Sequence, residues 1–567
     1  MADHTDPAHH PDPGLPQPMV RAEHSRYVQR VRRRYPQELA LFAGIEPGVP
    51  LAPAIERMLD ALLAQGVPLA NALRITRQMV LERLATLDVE QHALLGDVTG
   101  AMTQLAEVTL DRALADAQAE QDLKHGAPLD EQGRRIDLWV VGMGKLGGRE
   151  LNVSSDIDLI YVYEDDGTTT GVDDGRGGLK GRISAHEYFS EVVKRLSTLI
   201  GDITEDGFVF RMDLALRPNG NSGPSVVSLS MLEDYFLMQG REWERFAWLK
   251  SRIVAPRASM PKGERHSRSL ALRDLIMPFV FRRYLDYGVF ESLRQLHRKI
   301  RDEANRRAAG RPERANDVKL SRGGIREIEF TVQLLQVVRG GQYPEIRTRS
   351  TLKALQRLAA RGLIPSDTAQ RLANSYVLLR RIEHRIQYLD DQQTHLLPTD
   401  DADLRWISAS LGLDIEIDLP PPEGASTCAP NGLGPKVGPC PLTTALCQVR
   451  EFVANEFDAL LHDGRAPASG ANNCKNCTVP LPVDSEEFQA KLPVAIATRV
   501  NEFARQPRVA MLPDAAKLRL AKLIGRANFL AQAAPDASRL DEPPLGDVAV
   551  LRFIEWLNPL LRRDSYL

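Results

Sequence analysis

The chain has 567 residues, of which 43% are apolar and 26% are charged, a composition typical of globular proteins and not of disordered ones. Its formal net charge of −3 excludes the strongly basic proteins that bind nucleic acid through overall charge. No apolar run reaches the roughly 20 residues of a membrane-spanning helix, and five cysteines in so long a chain predict no disulfide scaffold. We therefore expect a soluble cytoplasmic protein of several domains, with neither a membrane nor a nucleic-acid partner.

The first part of the chain is predicted to be a tail followed by helices. Residues 1–24 are rich in Pro, His and Asp and lack the pattern of a signal peptide, which predicts a disordered tail. Residues 25–125 place apolar side chains at helical spacing, for example at Ile55, Met58 and Leu59. They predict an N-terminal helical subdomain.

Residues 126–260 change character and predict a catalytic core built on a small sheet. The run IDLWVVGMG predicts a buried strand that enters a glycine-rich turn, SDIDLIYVYED predicts a second strand, and FVFRMDLALRP predicts a third. Between the last two, SAHEYFSEVVKRLSTLIG predicts an amphipathic helix that begins with a capping box of Ser184 and Glu187.

The remainder of the chain is predicted to be largely helical with one irregular interruption. Residues 261–413 predict a helical domain, and residues 485–567 predict a helical linking region. Residues 414–484 are rich in Pro, Gly and Cys and predict an insertion or linker with one helix around CQVREFVANEFDALLHD. Cys474 and Cys477 have the spacing of a zinc knuckle, but no second close pair accompanies them, so a zinc site is disfavoured.

Three aspartates form the predicted reaction centre. Asp156 and Asp158 are two residues apart on a predicted strand, so their side chains leave the same face. The third predicted strand places Asp213 on one face with Arg211 and Arg217. Converging carboxylates repel one another unless cations neutralise them, and hard oxygen ligands suit Mg²⁺ or Mn²⁺. We expect two such ions, which could stabilise the attacking and leaving oxygens of a phosphoryl transfer.

The glycine-rich turn before the second strand is predicted to approach a phosphate. Gly142, Gly144, Gly147 and Gly148 leave the backbone amides accessible, and Lys145 adds a positive charge. The turn is not a Walker A motif, because no Ser or Thr follows the lysine at the required place. A dinucleotide-binding fold is also excluded, because it would not place Asp-x-Asp on the next strand.

Simpler interpretations exist for each of these pieces. A lone Asp-x-Asp is more often a solvated strand end, and Lys145 alone could be a surface lysine. The ordered combination of strand, glycine turn, acidic strand, helix and a later strand with Asp213 favours a metal-dependent nucleotidyltransferase.

The same residues carry a family resemblance. The stretches GMGKLGGRELNVSSDIDLIYVY, RMDLALRPNGNSGPSVVSLSMLEDYFLMQGREWERFAWLKSR and KLSRGGIREIEFTVQLLQ resemble bifunctional glutamine synthetase adenylyltransferase/adenylyl-removing enzymes, and RRIEHRIQYLDDQQTHLLP is similar to their following helical region. The resemblance spans most of residues 25–410 and resumes at about 485–567. It implies an α+β, mostly helical chain with a nucleotidyltransferase (DNA polymerase β-like) fold, in which N-terminal helices and a C-terminal helical bundle flank a small mixed sheet.

The resemblance also implies a reaction and partners. In that family the N-terminal half removes AMP from a tyrosine of glutamine synthetase by phosphorolysis and releases ADP, and the C-terminal half attaches AMP from ATP. This chain resembles the adenylyl-removing half plus the linking region, and it ends near where the second half would begin. The implied partners are glutamine synthetase, the signalling protein PII and its uridylylated form, ATP or ADP, and inorganic phosphate.

The resemblance further implies roles for individual residues. Asp156, Asp158 and Asp213 would be the catalytic, metal-binding residues. The other implied contacts are Gly144, Lys145, Gly147, Gly148, Ser154 and Ser155 on the phosphate side, Arg217 and Asn219 beside the nucleotide, and Lys319, Arg322 and Glu329 from a helical element facing the cleft. Many relatives of the broader fold begin the turn with Gly-Ser where this chain has Gly144-Lys145, which leaves the role of Lys145 open. For Arg322 and Glu329, a structural ion pair is an equal alternative.

Other functions stay open at this stage. The same metal centre could transfer AMP from ATP to glutamine synthetase instead of removing it. The chain could also be a catalytically idle module that binds PII, although three intact aspartates argue against idleness. A nucleic-acid polymerase is disfavoured by the net charge of −3.

Overall fold

The computed structural model describes residues 20–282, 316–413, 441–461, 482–512, 514–532 and 546–560. The chain divides into two compact units, Met1–Ala466 and Pro467–Leu567. The predicted tail up to residue 19, most of the predicted insertion and the Cys474–Cys477 pair lie outside the described residues. The finer domain boundaries stay predictions.

Five α-helices open the first unit, where the sequence has helical apolar spacing. Ser25 caps the first, because its hydroxyl accepts a hydrogen bond from the Val28 N–H. In the third, Ile55, Met58 and Leu59 are fully buried, as their spacing predicts. The five are α1 Arg26–Arg34, α2 Pro36–Ile45, α3 Ala52–Ala64, α4 Leu69–Glu90 and α5 Leu95–His125.

A mixed five-stranded sheet follows. Its strands are β2 Leu138–Gly142, β3 Ile157–Tyr163, β7 Met212–Asp213, β8 Val226–Ser228 and β9 Arg252–Ala255. The order is β7-β3-β2-β9, and β8 also pairs with β3. Strand β3 runs antiparallel to β2 and parallel to both β7 and β8. Two short antiparallel pairs lie outside this sheet: β1 Pro128–Leu129 with β4 Thr168–Thr169, and β5 Val172–Asp173 with β6 Leu179–Lys180.

Both faces of the sheet are buried, which explains the continuous apolar runs of its central strands. Leu138 and Val140 belong to one apolar cluster, and Trp139 and Val141 belong to another on the opposite face. A polar side chain can therefore reach solvent only near a strand end. The two predicted strands before the helix are confirmed.

The third predicted strand is much shorter than its sequence pattern suggested. Only Met212 and Asp213 pair as a strand, and the adjacent Val209 and Phe210 are both buried, which breaks the predicted alternation. The reason is that the N–H groups of Val209 and Phe210 both donate to the carbonyl of Ile200, at 3.0 and 3.2 Å. Because that carbonyl ends a helix, this segment caps the helix instead of extending the sheet.

That helix, α7 Ala185–Gly201, begins as predicted. The Ser184 hydroxyl accepts from the Glu187 N–H at 3.2 Å, and the Glu187 carboxylate accepts from the Ser184 N–H at 3.0 Å. The helix buries Tyr188, Phe189 and Val192 and packs against α5. It thereby joins the N-terminal helices to the sheet.

Helices complete the first unit. They are α6 Gly144–Gly148, α8 Leu229–Met238, α9 Glu242–Leu249, α10 His266–Val280, α11 Ile325–Arg339, α12 Thr351–Ala360, α13 Ser366–Asp390, α14 Asp401–Ser410 and α15 Pro441–Leu461. The helix predicted around CQVREFVANEFDALLHD is confirmed as α15. One apolar core includes Tyr27, Leu105, Leu159, Leu379 and Val453, so the N-terminal helices, the sheet and the later helices bury their surfaces together.

The second unit is helical and has its own apolar core. Ile496, Val500, Phe503, Leu520 and Ile554 are buried in it. Its helices are α16 Glu486–Gln489, α17 Val494–Ala504, α18 Pro507–Ala510, α19 Asp514–Gln532 and α20 Gly546–Leu560.

The described residues thus form a mostly helical α+β protein with small sheets, as predicted. Within the described ranges, no helix combines the length and the apolar character needed to cross a bilayer.

Candidate functional site

Two of the predicted aspartates lie opposite each other on neighbouring strands. In the parallel pairing of β3 with β7, Asp158 is the register partner of Asp213. Asp156 comes immediately before β3 and two residues before Asp158, so it leaves the same side of the chain. Neighbouring strands are about 4.8 Å apart. The structure therefore brings the three aspartates to one end of the sheet.

These carboxylates repel one another. The pKa of Asp158 is raised to about 6, first because the group is buried and then because Asp156 and Asp213 are negatively charged. The positive charges of Lys319 and Lys145 act in the opposite direction but do not cancel the effect. A cation placed among the three aspartates would be stabilised by all of them.

The oxygens are not already arranged around a common point. Within the described part of the chain, no group of three or more His, Cys, Asp and Glu side chains is close enough together to hold a metal ion. One oxygen of Asp213 accepts a hydrogen bond from the Ala215 N–H at 2.7 Å, and Asp156 accepts from the Ser155 hydroxyl at 3.4 Å. The donor set and its charge suit Mg²⁺ or Mn²⁺, and ligation by all three requires side-chain rotation.

The glycine turn lies against the same carboxylates. Gly144 has φ of +51°, and a Cβ there would lie 2.9 Å from Asp158 Oδ2. A Cβ on Gly147 would lie 1.8 Å from the carbonyl oxygen of Lys250, so a side chain is excluded at this position as well. The Met143 N–H donates to the Asp158 carbonyl at 2.9 Å, which fixes the start of α6 beside β3. Glycine is therefore required here by close approach.

Lys145 is held by a buried carboxylate. Its Nζ lies 3.2 Å from Glu383 Oε1 on α13, and only 12% of the lysine side chain is exposed. Burial lowers the pKa of Lys145 to about 8, although the negative charge of Glu383 opposes this shift. Glu383 also contacts His395 Nδ1 at 2.9 Å and Arg380 Nε at 3.3 Å. Lys145 is thus part of an ion network, and not a solvated surface lysine.

Ser154 and Ser155 support the start of the acidic strand. The Ser154 N–H donates to Gln387 Oε1 at 3.2 Å, and its carbonyl accepts from Arg211 Nη2 at 2.6 Å. Ser155 directs its hydroxyl to Asp156. Both serines are buried.

Arg217 and Asn219 shape the loop after β7. The Arg217 guanidinium donates to the carbonyls of Leu214, Asn221 and Gly223, at 2.9, 3.2 and 3.3 Å. Asn219 is exposed and has φ of 63°. The described contacts of Arg217 order the loop itself, and its predicted contact with a nucleotide stays a prediction.

The predicted helical element with Lys319, Arg322 and Glu329 is only partly a helix. Lys319 and Arg322 lie in turns before α11, and Glu329 lies within it. Lys319 is near enough for its charge to act on Asp158. Arg322 instead pairs with Asp458 of α15 at 2.8 Å, and half of its side chain is exposed. For Arg322 the structural ion pair is the observed role.

Glu329 faces several cations. Although burial acts to raise it, the pKa of Glu329 is lowered by the positive charges of Lys250, Lys145 and Arg380. The Tyr376 hydroxyl also lies 3.4 Å from its carboxylate. Glu329 therefore belongs to the charged network behind the glycine turn.

The chain is similar in sequence to known proteins. Residues 20–266 match the family model described as glutamate-ammonia ligase adenylyltransferase, and residues 294–418 match the model described as GlnD PII-uridylyltransferase. The chain is 40% identical to the bifunctional glutamine synthetase adenylyltransferase/adenylyl-removing enzyme of Burkholderia pseudomallei, over 97% of this chain and 57% of that protein. The chain belongs to this adenylyltransferase family.

Further relatives carry the same description. The enzyme of Ralstonia nicotianae is 38% identical over 96% of this chain and 55% of its own length. The enzyme of Aromatoleum aromaticum is 45% identical over 68% of this chain and 39% of its own length. The chain thus spans about half the length of these curated relatives.

In this member of the adenylyltransferase family, sequence reasoning missed a buried ion network behind the turn. Glu150 pairs with Lys250 at 2.8 Å and accepts from the Thr351 N–H at 2.6 Å. Arg380 donates to the Tyr376 hydroxyl at 2.6 Å and to the Glu150 carbonyl at 2.6 Å. A signal was present, because RRIEHRIQY places charges among apolar positions of one helix, but the sequence could not show which charges face inward.

Proposed function

We propose that this chain removes AMP from an adenylylated tyrosine of glutamine synthetase by phosphorolysis. Inorganic phosphate would attack the phosphorus of the AMP–tyrosine diester, the bond to the tyrosine oxygen would break, and ADP and free tyrosine would result. The observation that carries the proposal is the pairing of Asp158 with Asp213 beside Gly144, in a chain whose relatives are named bifunctional glutamine synthetase adenylyltransferase/adenylyl-removing enzymes.

The finer fold belongs to the same proposal. We infer a nucleotidyltransferase core of the DNA polymerase β-like kind. It is supported by the order of a buried strand, a glycine turn with a short helix, an Asp-x-Asp strand and a later aspartate on a parallel strand. The match of residues 20–266 to an adenylyltransferase family is consistent with it.

Asp156, Asp158 and Asp213 would hold Mg²⁺ or Mn²⁺, which supplies positive charge beside the oxygens that exchange at phosphorus. The rest of the chemistry falls to the chain itself. Gly144 lets the glycine turn lie directly against Asp158, and Lys145 and Lys319 place positive charge near that carboxylate. Because phosphate is already ionised near neutral pH, positioning and electrostatics can carry the reaction without a strong general base.

The direction of the reaction can be tested directly. The isolated chain is incubated with adenylylated glutamine synthetase, Mg²⁺ and phosphate, and ADP release is measured. A parallel reaction with unmodified glutamine synthetase and labelled ATP measures adenylyl transfer. We expect phosphate-dependent ADP release and little transfer. Transfer without phosphorolysis would show that the opposite reaction is the true one.

The assignment of the aspartates has its own test. Replacing Asp156 and Asp158 together by Asn should abolish phosphorolysis while the thermal unfolding temperature stays within a few degrees of wild type, because a mutual repulsion is removed. Asp174→Asn, in the exposed β5–β6 hairpin, is the control and should retain activity. Near-normal activity of the double variant contradicts the assignment.

A partner is suggested by a separate observation. Residues 294–418 match a family named for uridylylation of PII. We propose that PII, or its uridylylated form, binds this chain and regulates the reaction. Calorimetric titration with each form tests this, and the absence of binding by both would remove the partner while leaving the reaction intact.

A further inference from the structure

Three arginines lie around the C-terminal end of α6, the end away from the three aspartates. Arg149 caps this helix in the left-handed conformation, with φ of 60°. Arg349 lies in the segment before α12. Its Nε donates to the carbonyl of Ser251, the residue before Arg252, at 2.6 Å. Its own carbonyl oxygen would lie 3.2 Å from a Cβ on Gly148. The backbone segments that carry Arg149 and Arg349 are therefore in contact.

Arg252 is the third member and is anchored most firmly. Its Nε donates to the Gly147 carbonyl at 3.2 Å and its Nη2 to the Leu146 carbonyl at 3.1 Å. Its Nη1 lies 2.6 Å from Glu107 of α5. The backbone of α6 and one carboxylate thus hold Arg252 in place, 8% exposed.

Glu107 balances the charge of Arg252, but the charges of the other two arginines are not balanced. In the part of the chain that the structure describes, neither Arg149 nor Arg349 lies in an ion pair, and Arg273 of α10 has none either. The pKa of Arg349 is lowered to about 10, first by partial burial and then by the positive charges of Arg252, Arg273 and Arg149, and no described carboxylate opposes them. Arg149 and Arg349 nevertheless keep part of their surface accessible. An anion from solution could therefore reach them.

We propose that Arg149 and Arg349, with Arg252 behind them, form a binding site for a phosphate group, carried by inorganic phosphate or by a nucleotide. Guanidinium groups match the oxygens of a phosphate with paired N–H donors, and a doubly charged anion offsets more of the repulsion than a single carboxylate does. From Gly144 beside Asp158 to Arg149, the five residues of α6 rise by roughly 7 Å. The site is thus near the carboxylate centre but distinct from it.

Calorimetric titration of the full chain in the presence of a metal chelator tests the site apart from the proposed reaction. Inorganic phosphate, AMP and adenosine are titrated in turn at fixed ionic strength. We expect inorganic phosphate or AMP to bind and adenosine not to bind, and a comparison of the first two identifies the source of the phosphate group. Arg149→Gln with Arg349→Gln should weaken that binding by at least about tenfold.

A matched variant controls for the loss of two positive charges. Arg176→Gln with Lys180→Gln removes two exposed cations from the β5–β6 hairpin, and it should leave the affinity within twofold of wild type. Thermal unfolding of both double variants shows whether each is folded. Absence of binding by both phosphate and AMP, or equal weakening in both variants, overturns the proposal. Loss of phosphorolysis has no bearing on it, because no metal is present in this titration.

Discussion

Carboxylates occur in two opposite settings around the glycine turn. At the end of the sheet, Asp158 is crowded by Asp156 and Asp213, and its pKa is raised to about 6 by burial and by these neighbours. Behind the turn, Glu383 is fully buried, yet its pKa lies well below the usual value because Lys145, His395 and Arg380 surround it. Burial alone would raise the pKa of both carboxyl groups. The charges of the neighbouring side chains therefore decide whether each pKa is raised or lowered.

This difference separates charge that stabilises the fold from charge that is available to a ligand. Glu383 has its cations within the protein, and they join α13 to α6 and hold the turn in place. The positive charges of the nearby lysines do not offset the repulsion among the three aspartates. Groups that bind substrates and ions are expected to have this character, because they are preorganised at a cost in stability.

Removing Glu383 should cause the largest loss of stability. Glu383→Ala leaves Lys145 and Arg380 buried without their carboxylate, and breaking such a pair costs about 3–5 kcal/mol. Urea unfolding of the variant and of wild type gives this difference. Glu131→Ala, at an exposed position, is the control and should stay within about 0.5 kcal/mol. A small effect of Glu383→Ala would mean that the network does not stabilise the turn, and the comparison between the two settings would fail.

A methyl group at Gly144 tests the close contact between the glycine turn and Asp158. Gly144→Ala combines a positive φ with a Cβ 2.9 Å from Asp158 Oδ2, so we expect a loss of roughly 1–2 kcal/mol. Phosphorolysis should fall as well, because the methyl group occupies the space beside the carboxylate. Gly96→Ala is the matched control, since a Cβ there meets nothing within 4 Å. It lies in the first turn of α5 and should be neutral or stabilising by up to about 1 kcal/mol. Equal effects of the two substitutions would contradict the close approach at Gly144.

The smallest expected effect concerns the capping box at the start of α7, which contains neither the aspartates nor Glu383. Ser184→Ala removes the hydroxyl that accepts from the Glu187 N–H at the start of α7, and we expect a loss of about 1 kcal/mol. Ser190→Ala is the control, because that hydroxyl donates to the His186 carbonyl within the same helix. Chemical unfolding distinguishes them, and a Ser184→Ala protein as stable as its control would show that the cap contributes nothing. Activity should be unchanged in both variants.

Local patterns were enough to predict the elements that position the aspartates. Alternation and apolar runs predicted β2 and β3, and the Ser-x-x-Glu signature predicted the start of α7. The pattern around Asp213 predicted a full strand, and there the prediction was wrong. The N–H groups of Val209 and Phe210 bond to the end of α7, a long-range choice that no local pattern reveals.

The partners of buried charges could not be predicted at all. Lys145 and Glu383 are 238 residues apart, and Lys250 and Glu150 are 100 apart. A single sequence contains no distance information across such separations. It could only indicate that RRIEHRIQY places charges on an otherwise apolar helix, and α13 does bury Arg380, Glu383 and Arg385 completely.

The central claim is that Asp213 shares a divalent ion with Asp156 and Asp158. Binding of Mn²⁺ to the chain in the presence of AMP, followed by electron paramagnetic resonance, tests it most directly, with Asp213→Asn compared against wild type and against Asp174→Asn. We predict saturable binding to wild type and to Asp174→Asn, and an affinity at least about tenfold weaker for Asp213→Asn. Equal Mn²⁺ affinity in all three proteins, or no binding to wild type, would contradict the account.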